Sequence, residues 1–370
     1  MTGVDQADPG PVAPPDSVPL QVARTRRRRF VLISSGLVAV VFVVAVSAMV
    51  IGSVSVPPLT VLRILGWHLT GLGEPAWAPA QDSIIWLIRF PRVILGLIVG
   101  AGLAVVGVAI QAMVRNPIAD TYVLGVSSGA SLGAVIVVFF GGGLGQLVAP
   151  SIGAFTGALA ALITVFVLAR GGGRLSSIRL LLIGVSLGYS LSGMTSLFLY
   201  AAPNAAAKNE ILFWILGSLG AAKLERLLLP LLAMLVTMMF LQLEARRLNA
   251  LAVGDEASIA LGVEPHRLRL RLLVITSLFI GAATAAAGPI GFVGLVVPHV
   301  ARILVGADHP RVLPVAALLG AGYLVAVDLF GRTIVAPAEI PIGVITAVLG
   351  GPLFIWLVRR DSSKALKEAM

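Results

Sequence analysis

Ten long apolar runs, separated by short polar segments, constrain this chain more than any other feature of its sequence. A helix needs about 20 apolar residues to cross a bilayer, and most of the runs approach that length. Only 12% of the residues are charged, against about 25% in an average soluble domain, which excludes a soluble enzyme and a nucleic-acid-binding domain. The sequence therefore predicts an all-α polytopic membrane protein with ten transmembrane helices, at about residues 30–51, 85–111, 121–140, 147–169, 176–200, 227–245, 268–287, 291–305, 311–330 and 342–358.

The two ends of the chain are polar and lie outside these runs. Residues 1–29 are rich in proline and end in five arginines, a composition that buries too little apolar surface to fold alone. They are predicted to form a disordered N-terminal tail, and residues 361–370 a C-terminal tail. If the N-terminus and C-terminus are both cytoplasmic, 20 of the 27 basic residues lie on the cytoplasmic side. This positive-inside bias predicts that orientation.

The arrangement of the predicted spans also suggests an internal repeat. Spans 2–5 and spans 7–10 have similar lengths and start five spans apart, and an odd offset would invert one half relative to the other. Inverted repeats of this kind build many transporters. The chain has no cysteine, which excludes disulfides and thiolate sites. It also lacks a GxxxxGK[ST] phosphate loop, so an ATPase that drove transport would be another polypeptide.

A GxSxG pattern surrounds Ser127, as in the nucleophile elbow of serine hydrolases. That chemistry needs a strand–turn–helix and a histidine base, and the sequence around Ser127 indicates neither. We therefore favour a small-residue entry to a tightly packed helix, with an intramembrane hydrolase as a distant alternative.

Asp328 lies near the end of an otherwise apolar run, where a carboxylate is costly to bury. A proton-coupled secondary transporter could use it as a relay, and this is the alternative function of a different class. Arg332 follows one helical turn later, so a local ion pair is the favoured interpretation.

The longest predicted cytoplasmic loop has the pattern of a short helix. An Asp–Glu start, helix-forming alanines and flanking glycines predict a helix at about residues 253–263. Its apolar residues would be exposed outside the bilayer, which predicts a partner protein with a groove.

Residues 254–263 resemble the coupling helix of FecCD-type permeases, the membrane subunits of bacterial ABC importers for ferric siderophores, haem and cobalamin. The resemblance covers about residues 30–360 and includes long, ordered motifs. Four further stretches carry it, at residues 89–92, 111–129, 291–299 and 339–354.

The resemblance implies a ten-helix permease domain at 30–360 in the bacterial plasma membrane, surrounded by lipid. It implies a second permease subunit, identical or paralogous, two cytoplasmic ATPase subunits that bind ATP and Mg, and an extracytoplasmic binding protein. It implies no catalytic residue in this chain and no cofactor or metal bound directly to it. A ferric siderophore is the expected substrate, with haem and cobalamin as alternatives.

The resemblance also implies roles for particular residues, and it places three arginines as unpaired cations on the outer rim. The implied sites are binding-protein docking at Arg89, Arg92 and Arg332; cytoplasmic gates at Asn116, Ile118, Ser176 and Ser177; ATPase coupling at Gly254, Asp255, Glu256, Ala257, Ala260, Leu261 and Gly262; and the translocation path at Gly184, Gly188 and Ser192.

Overall fold

Helices form nearly all of the part of the chain that the computed structural model describes, which is residues 17–52, 54–71, 75–140, 149–171, 174–336 and 338–368. One antiparallel pair of two-residue strands, β1 (Arg170–Gly171) and β2 (Arg174–Leu175), connects the helix that ends at Ala169 to the helix that begins at Ser177. The α-helices are α1 (Ser17–Val50), α2 (Pro58–Thr70), α3 (Pro79–Asp82), α4 (Phe90–Val114), α5 (Val126–Phe139), α6 (Pro150–Ala169), α7 (Ser177–Tyr200), α8 (Ala205–Leu216), α9 (Leu228–Leu243), α10 (Ala245–Val253), α11 (Asp255–Ala260), α12 (Pro265–Ala287), α13 (Val293–Val305), α14 (His309–Gly331) and α15 (Ile342–Glu368).

Seven helical segments of the described residues are long and apolar enough to cross a membrane, and they coincide with seven of the ten predicted spans. Three shorter apolar helices, α5, α13 and the apolar part of α15, coincide with the third, eighth and tenth. At 1.5 Å per residue, the 14 residues of α5 rise only about 21 Å, less than the bilayer core of about 30 Å. The all-helical polytopic class is therefore confirmed, whereas the total of ten spans and the inverted repeat remain predictions.

The chain ends are more helical than the sequence indicated. Helix α1 begins at Ser17, so residues 17–29 are helical rather than part of a disordered tail, while residues 1–16 lie outside the described residues. Helix α15 likewise continues through most of the predicted C-terminal tail. The apolar run of each span supplies the costly helix nucleus, and arginine and alanine then propagate the helix at little cost.

Glycines let neighbouring helices approach closely at two crossings. A Cβ added at Gly100 of α4 would lie 2.2 Å from the carbonyl oxygen of Gly320 in α14. A Cβ added at Gly133 of α5 would lie 2.0 Å from the carbonyl oxygen of Gly153 in α6. Such contacts hold helices together where lipid removes the hydrophobic driving force.

Substituting Gly133 with alanine is expected to destabilise the α5–α6 pair, because the opposing atom belongs to a backbone that cannot rotate away. Overpacking of this kind costs about 3 kcal/mol. The measurement is the thermal midpoint of the detergent-solubilised protein. The control is Gly66→Ala in α2, where nothing lies within 4 Å of the added Cβ. Equal midpoints for the two variants would contradict this account of the packing.

Candidate functional site

Helix α4 runs through the centre of the bundle and separates two ends that carry different polar groups. Nearly every residue from Pro91 to Val114 is buried, and α14, α13, α12 and α9 pack around it. We call the end near Val114, with Arg115, Arg269 and Arg302, the basic end, and the end near Phe90 the far end.

A buried cluster of ion pairs lies at the far end. The Arg92 guanidinium donates to both oxygens of Asp328, at 2.9 and 3.0 Å, and through its other nitrogen to both oxygens of Glu339, at 3.0 Å. Arg332 Nε lies 3.7 Å from Asp328, so the predicted local pair is confirmed. Arg92 is nevertheless the nearer partner of Asp328, and this pair was not predicted from the sequence.

The expectation of unpaired arginines on an outer rim is wrong. Arg89, Arg92 and Arg332 are only 4%, 7% and 7% exposed. Arg89 donates to the backbone carbonyls of Met49 and Val50, and Arg332 donates to that of Ala48. The last four carbonyls of a helix lack partners within it, so the arginine just before α4 and the arginine just after α14 satisfy the end of α1. Docking through these arginines remains a prediction.

The structure brings the two predicted gate segments together at the basic end. Ser177, at the start of α7, donates from its hydroxyl to the carbonyl oxygen of Met113, near the end of α4, at 3.2 Å. Asn116 follows α4 and accepts a hydrogen bond from the backbone N–H of Ile118 at 3.0 Å, which holds a tight turn. Ile118 is 51% exposed. Ser176 immediately precedes α7 and makes no capping hydrogen bond.

The predicted coupling helix is present, but it is shorter than expected. It is α11, Asp255–Ala260, and α10 ends immediately before it. Gly254 and Gly262 have φ values of 142° and 74°, a backbone region that favours glycine, so they reverse the chain on both sides. This is why residues 253–263 do not form one helix. Ile259 and Leu261 are 65% and 69% exposed, as predicted for a surface that awaits a partner.

Arg269 connects α11 to the end of α4. Its guanidinium donates two hydrogen bonds to the Asp255 carboxylate, at 2.9 and 2.5 Å, and its Nε donates to the Met113 carbonyl at 3.2 Å. The hydrogen bond and charge of Arg269, with the charge of Arg115, hold the pKa of Asp255 below its usual range. Met113 therefore accepts from both Arg269 and Ser177. In the sequence, Arg269 is one of three alternating arginines, with Arg267 and Arg271, and nothing distinguishes it from the other basic residues that predict orientation.

Two of the motif stretches meet in space beside this link. The side-chain amide of Gln111 donates to the carbonyl of Gly294 at 3.1 Å, and Asp120 accepts from the N–H of Phe292 at 3.0 Å. Phe292 has a φ of 67°, which a non-glycine residue adopts only at a cost, and this hydrogen bond helps to hold it. The turn after α4 and the start of α13 thus form one unit.

Two of the three predicted path residues of α7 pack against a neighbouring segment. Gly184 and Gly188 are buried against residues 122–128, whereas Ser192 is exposed and donates from its hydroxyl to that of Ser128 at 3.2 Å. The two glycines serve close helix packing, and the path along α7 remains a prediction. The exposed face of α7 carries small residues spaced along one side, together with Tyr189, which is 79% exposed. They are Ser186, Ser190, Gly193 and Ser196.

A serine hydrolase at Ser127 is inconsistent with the geometry. Ser127 is 3% exposed in the first turn of α5, and a 3-10 turn rather than a strand precedes that helix. Among the described residues, no group of three or more His, Asp or Glu side chains could hold a metal ion.

A bundle of apolar helices around α4, with an exposed glycine-bounded helix at one end, defines a polytopic membrane permease. The model of the FecCD transport family matches residues 36–360. The chain belongs to the FecCD family.

Curated relatives carry this assignment further. The hemin transport system permease protein HmuU of Yersinia pestis is 45% identical over 282 residues, which cover 75% of this chain and 84% of the relative. The vitamin B12 import system permease protein BtuC of Vibrio cholerae is 38% identical, over 77% and 86%. The molybdate import system permease protein MolB of Haemophilus influenzae is 35% identical, over 90% and 97%.

A solved structure described as an inward-facing metal-chelate type ABC transporter matches with a TM-score of 0.75 and 33% identity, and it covers 89% of this chain and 99% of its own. The chain is therefore an ABC importer permease subunit, with a role in transport rather than catalysis.

Proposed function

We propose that this chain imports an iron chelate of the ferric siderophore type across the bacterial plasma membrane, driven by ATP hydrolysis on partner subunits. It pairs with a second permease subunit, binds two ATPase subunits at the basic end, which is cytoplasmic, and receives substrate from a binding protein at the far end. The observation that carries the proposal is the exposed helix α11, joined through Arg269 to the end of α4. A displacement of α11 by a bound ATPase is therefore transmitted through Arg269 to the end of α4 and to the turn that begins at Asn116.

The exposed face of α7 supports an oxygen-rich chelate as the substrate. Its serines and Gly193 offer hydroxyl groups and space, and nothing lies within 4 Å of a Cβ added at Gly193. Hydroxyls can exchange hydrogen bonds with the oxygens of a siderophore without the tight contacts that would slow release. In a dimer, two such faces would enclose the path.

Haem is the second candidate, and two observations favour it. The relative from Yersinia pestis, at 45% identity, is named for hemin transport. Tyr189 and Tyr200 are 79% and 89% exposed on α7 and offer aromatic faces to a flat macrocycle. Cobalamin is the third, by the names of other relatives.

The decisive experiment reconstitutes the chain with its partner ATPase and binding protein in proteoliposomes. Uptake and ATP hydrolysis are measured with ferric siderophores, haem and cobalamin in turn. The proposal requires ATP-dependent uptake that a ferric siderophore stimulates most. ATP-dependent uptake of haem alone would show that haem, and not a ferric siderophore, is the substrate, and it would leave the ATP-driven mechanism unchanged. Uptake that follows a proton gradient without ATP would contradict the mechanism itself.

Single cysteines on α7 are expected to report which face lines the path, because the chain has no native cysteine to interfere. Ser190→Cys should react with a membrane-impermeant thiol reagent, and bound substrate should slow that reaction at least about tenfold. Thr195→Cys, at a buried position, should not react. Leu232→Cys, exposed on α9 but facing lipid in this proposal, should also resist the reagent. Labelling at Leu232 and not at Ser190 would place the path elsewhere.

A further inference from the structure

A cavity of about 580 Å³ opens at the basic end between residues 29–30 of α1 and the turn from α13 to α14. One wall is apolar, with Phe30, Ile303 and Leu304. The other wall is charged. Gly306 lies at the turn with a φ of 83°, and nothing lies within 4 Å of a Cβ added there, so the cavity is open at that point.

The charges of this cavity are unbalanced. Arg29, Arg302 and Arg311 line it together with a single carboxylate, Asp308. Asp308 already accepts a hydrogen bond from Asn249 at 2.8 Å and lies 3.7 Å from Arg311 Nε. Arg302 donates to the neutral side chain of Gln111 rather than to a carboxylate.

We propose that this cavity binds the headgroup of one anionic phospholipid from the leaflet at the basic end. Its cations lie where the apolar helix surfaces end, which is the depth of lipid phosphates, and its apolar wall can receive the first part of an acyl chain. Guanidinium groups donate in a fork that matches two phosphate oxygens. Three cations against one carboxylate leave an excess of two positive charges, which favours an anion, and the bilayer supplies one at that depth.

The test uses the purified full-length protein in nanodiscs of zwitterionic phosphatidylcholine. These contain a minority of about one part in six of phosphatidylglycerol or cardiolipin, so that weak sites for anionic lipid stay empty. Native mass spectrometry counts the anionic lipids that remain bound after extraction. We expect one retained anionic lipid in the wild type and at least about tenfold less in Arg29→Ala and Arg311→Ala. Arg27→Ala removes the same charge from an exposed position outside the cavity and should retain the lipid.

Three results would overturn the proposal. Equal loss in Arg27→Ala would show diffuse surface attraction rather than a site. Equal retention of phosphatidylcholine would remove the requirement for charge. Displacement of the lipid by millimolar inorganic phosphate would identify a soluble anion as the occupant. Thermal midpoints recorded on the same samples separate each of these from a variant that fails to fold.

Discussion

Asp255→Asn is expected to uncouple ATP hydrolysis from transport. The substitution preserves shape but removes the charge that the Arg269 guanidinium, only 1% exposed, pairs with. Removing one partner of a fully buried pair costs about 3–5 kcal/mol. The Asp255 side chain is 44% exposed, so solvent screens part of this, and we expect about 2 kcal/mol of local destabilisation. Transported substrate per ATP hydrolysed should fall about tenfold or more.

The control for this variant is a carboxylate that follows α11 and lies outside the predicted coupling residues. Glu264→Gln also removes a carboxylate, but the Glu264 side chain is 56% exposed and lies 2.8 Å from the exposed Arg267. Its coupling ratio should match that of the wild type. Co-purification of the ATPase subunits separates uncoupling from failed assembly. If Asp255→Asn still assembles with the ATPase subunits and keeps the wild-type coupling ratio, the pair of Arg269 with Asp255 does not transmit motion from α11 to α4.

The far-end cluster should give the largest loss of stability. Asp328→Asn leaves Arg92 and Arg332 buried without their shared carboxylate, which costs about 3–5 kcal/mol. At roughly 2 °C per kcal/mol for a chain of this size, the thermal midpoint should fall by about 6–10 °C. Glu339→Gln should cost about 1 kcal/mol or less, because the Glu339 side chain is 49% exposed.

A double-mutant cycle then distinguishes this structural role from a proton relay. Arg92→Met combined with Asp328→Leu replaces the pair with apolar groups and should recover more than half of the loss, since apolar replacements of buried pairs are often near neutral. ATP-driven uptake by the stable double variant would exclude Asp328 as a relay. Loss of uptake in a stable, assembled double variant that still docks the binding protein would revive the secondary transporter.

Features that lie within one segment of the chain could be predicted from the sequence, and contacts between distant segments could not. Hydropathy is a property of one segment, so the apolar runs predicted the spanning helices, and the flanking glycines predicted α11. The ion pair of Arg92 with Asp328 joins residues 236 positions apart, and no single-segment pattern contains it. Arg92 was therefore assigned to an exposed rim, whereas the structure buries it.

The face of α7 shows a second limit. Gly184 and Gly188 lie on one side and Ser186 and Ser190 on the other, and both are rows of small residues. Either row could pack or line a path, because small side chains permit both close helix contact and open space. The position of α5 against Gly188 shows which row packs, and that contact is not encoded in either row alone.

The Met113 carbonyl can accept from Arg269 and Ser177 because α4 ends at Val114, which leaves its last carbonyls without partners in the helix. In a continuing helix this carbonyl would pair with the N–H four residues later. That residue is Pro117, which has no N–H. A helix that frayed or lengthened by one turn would therefore still leave this acceptor to the side chains of α12 and α7.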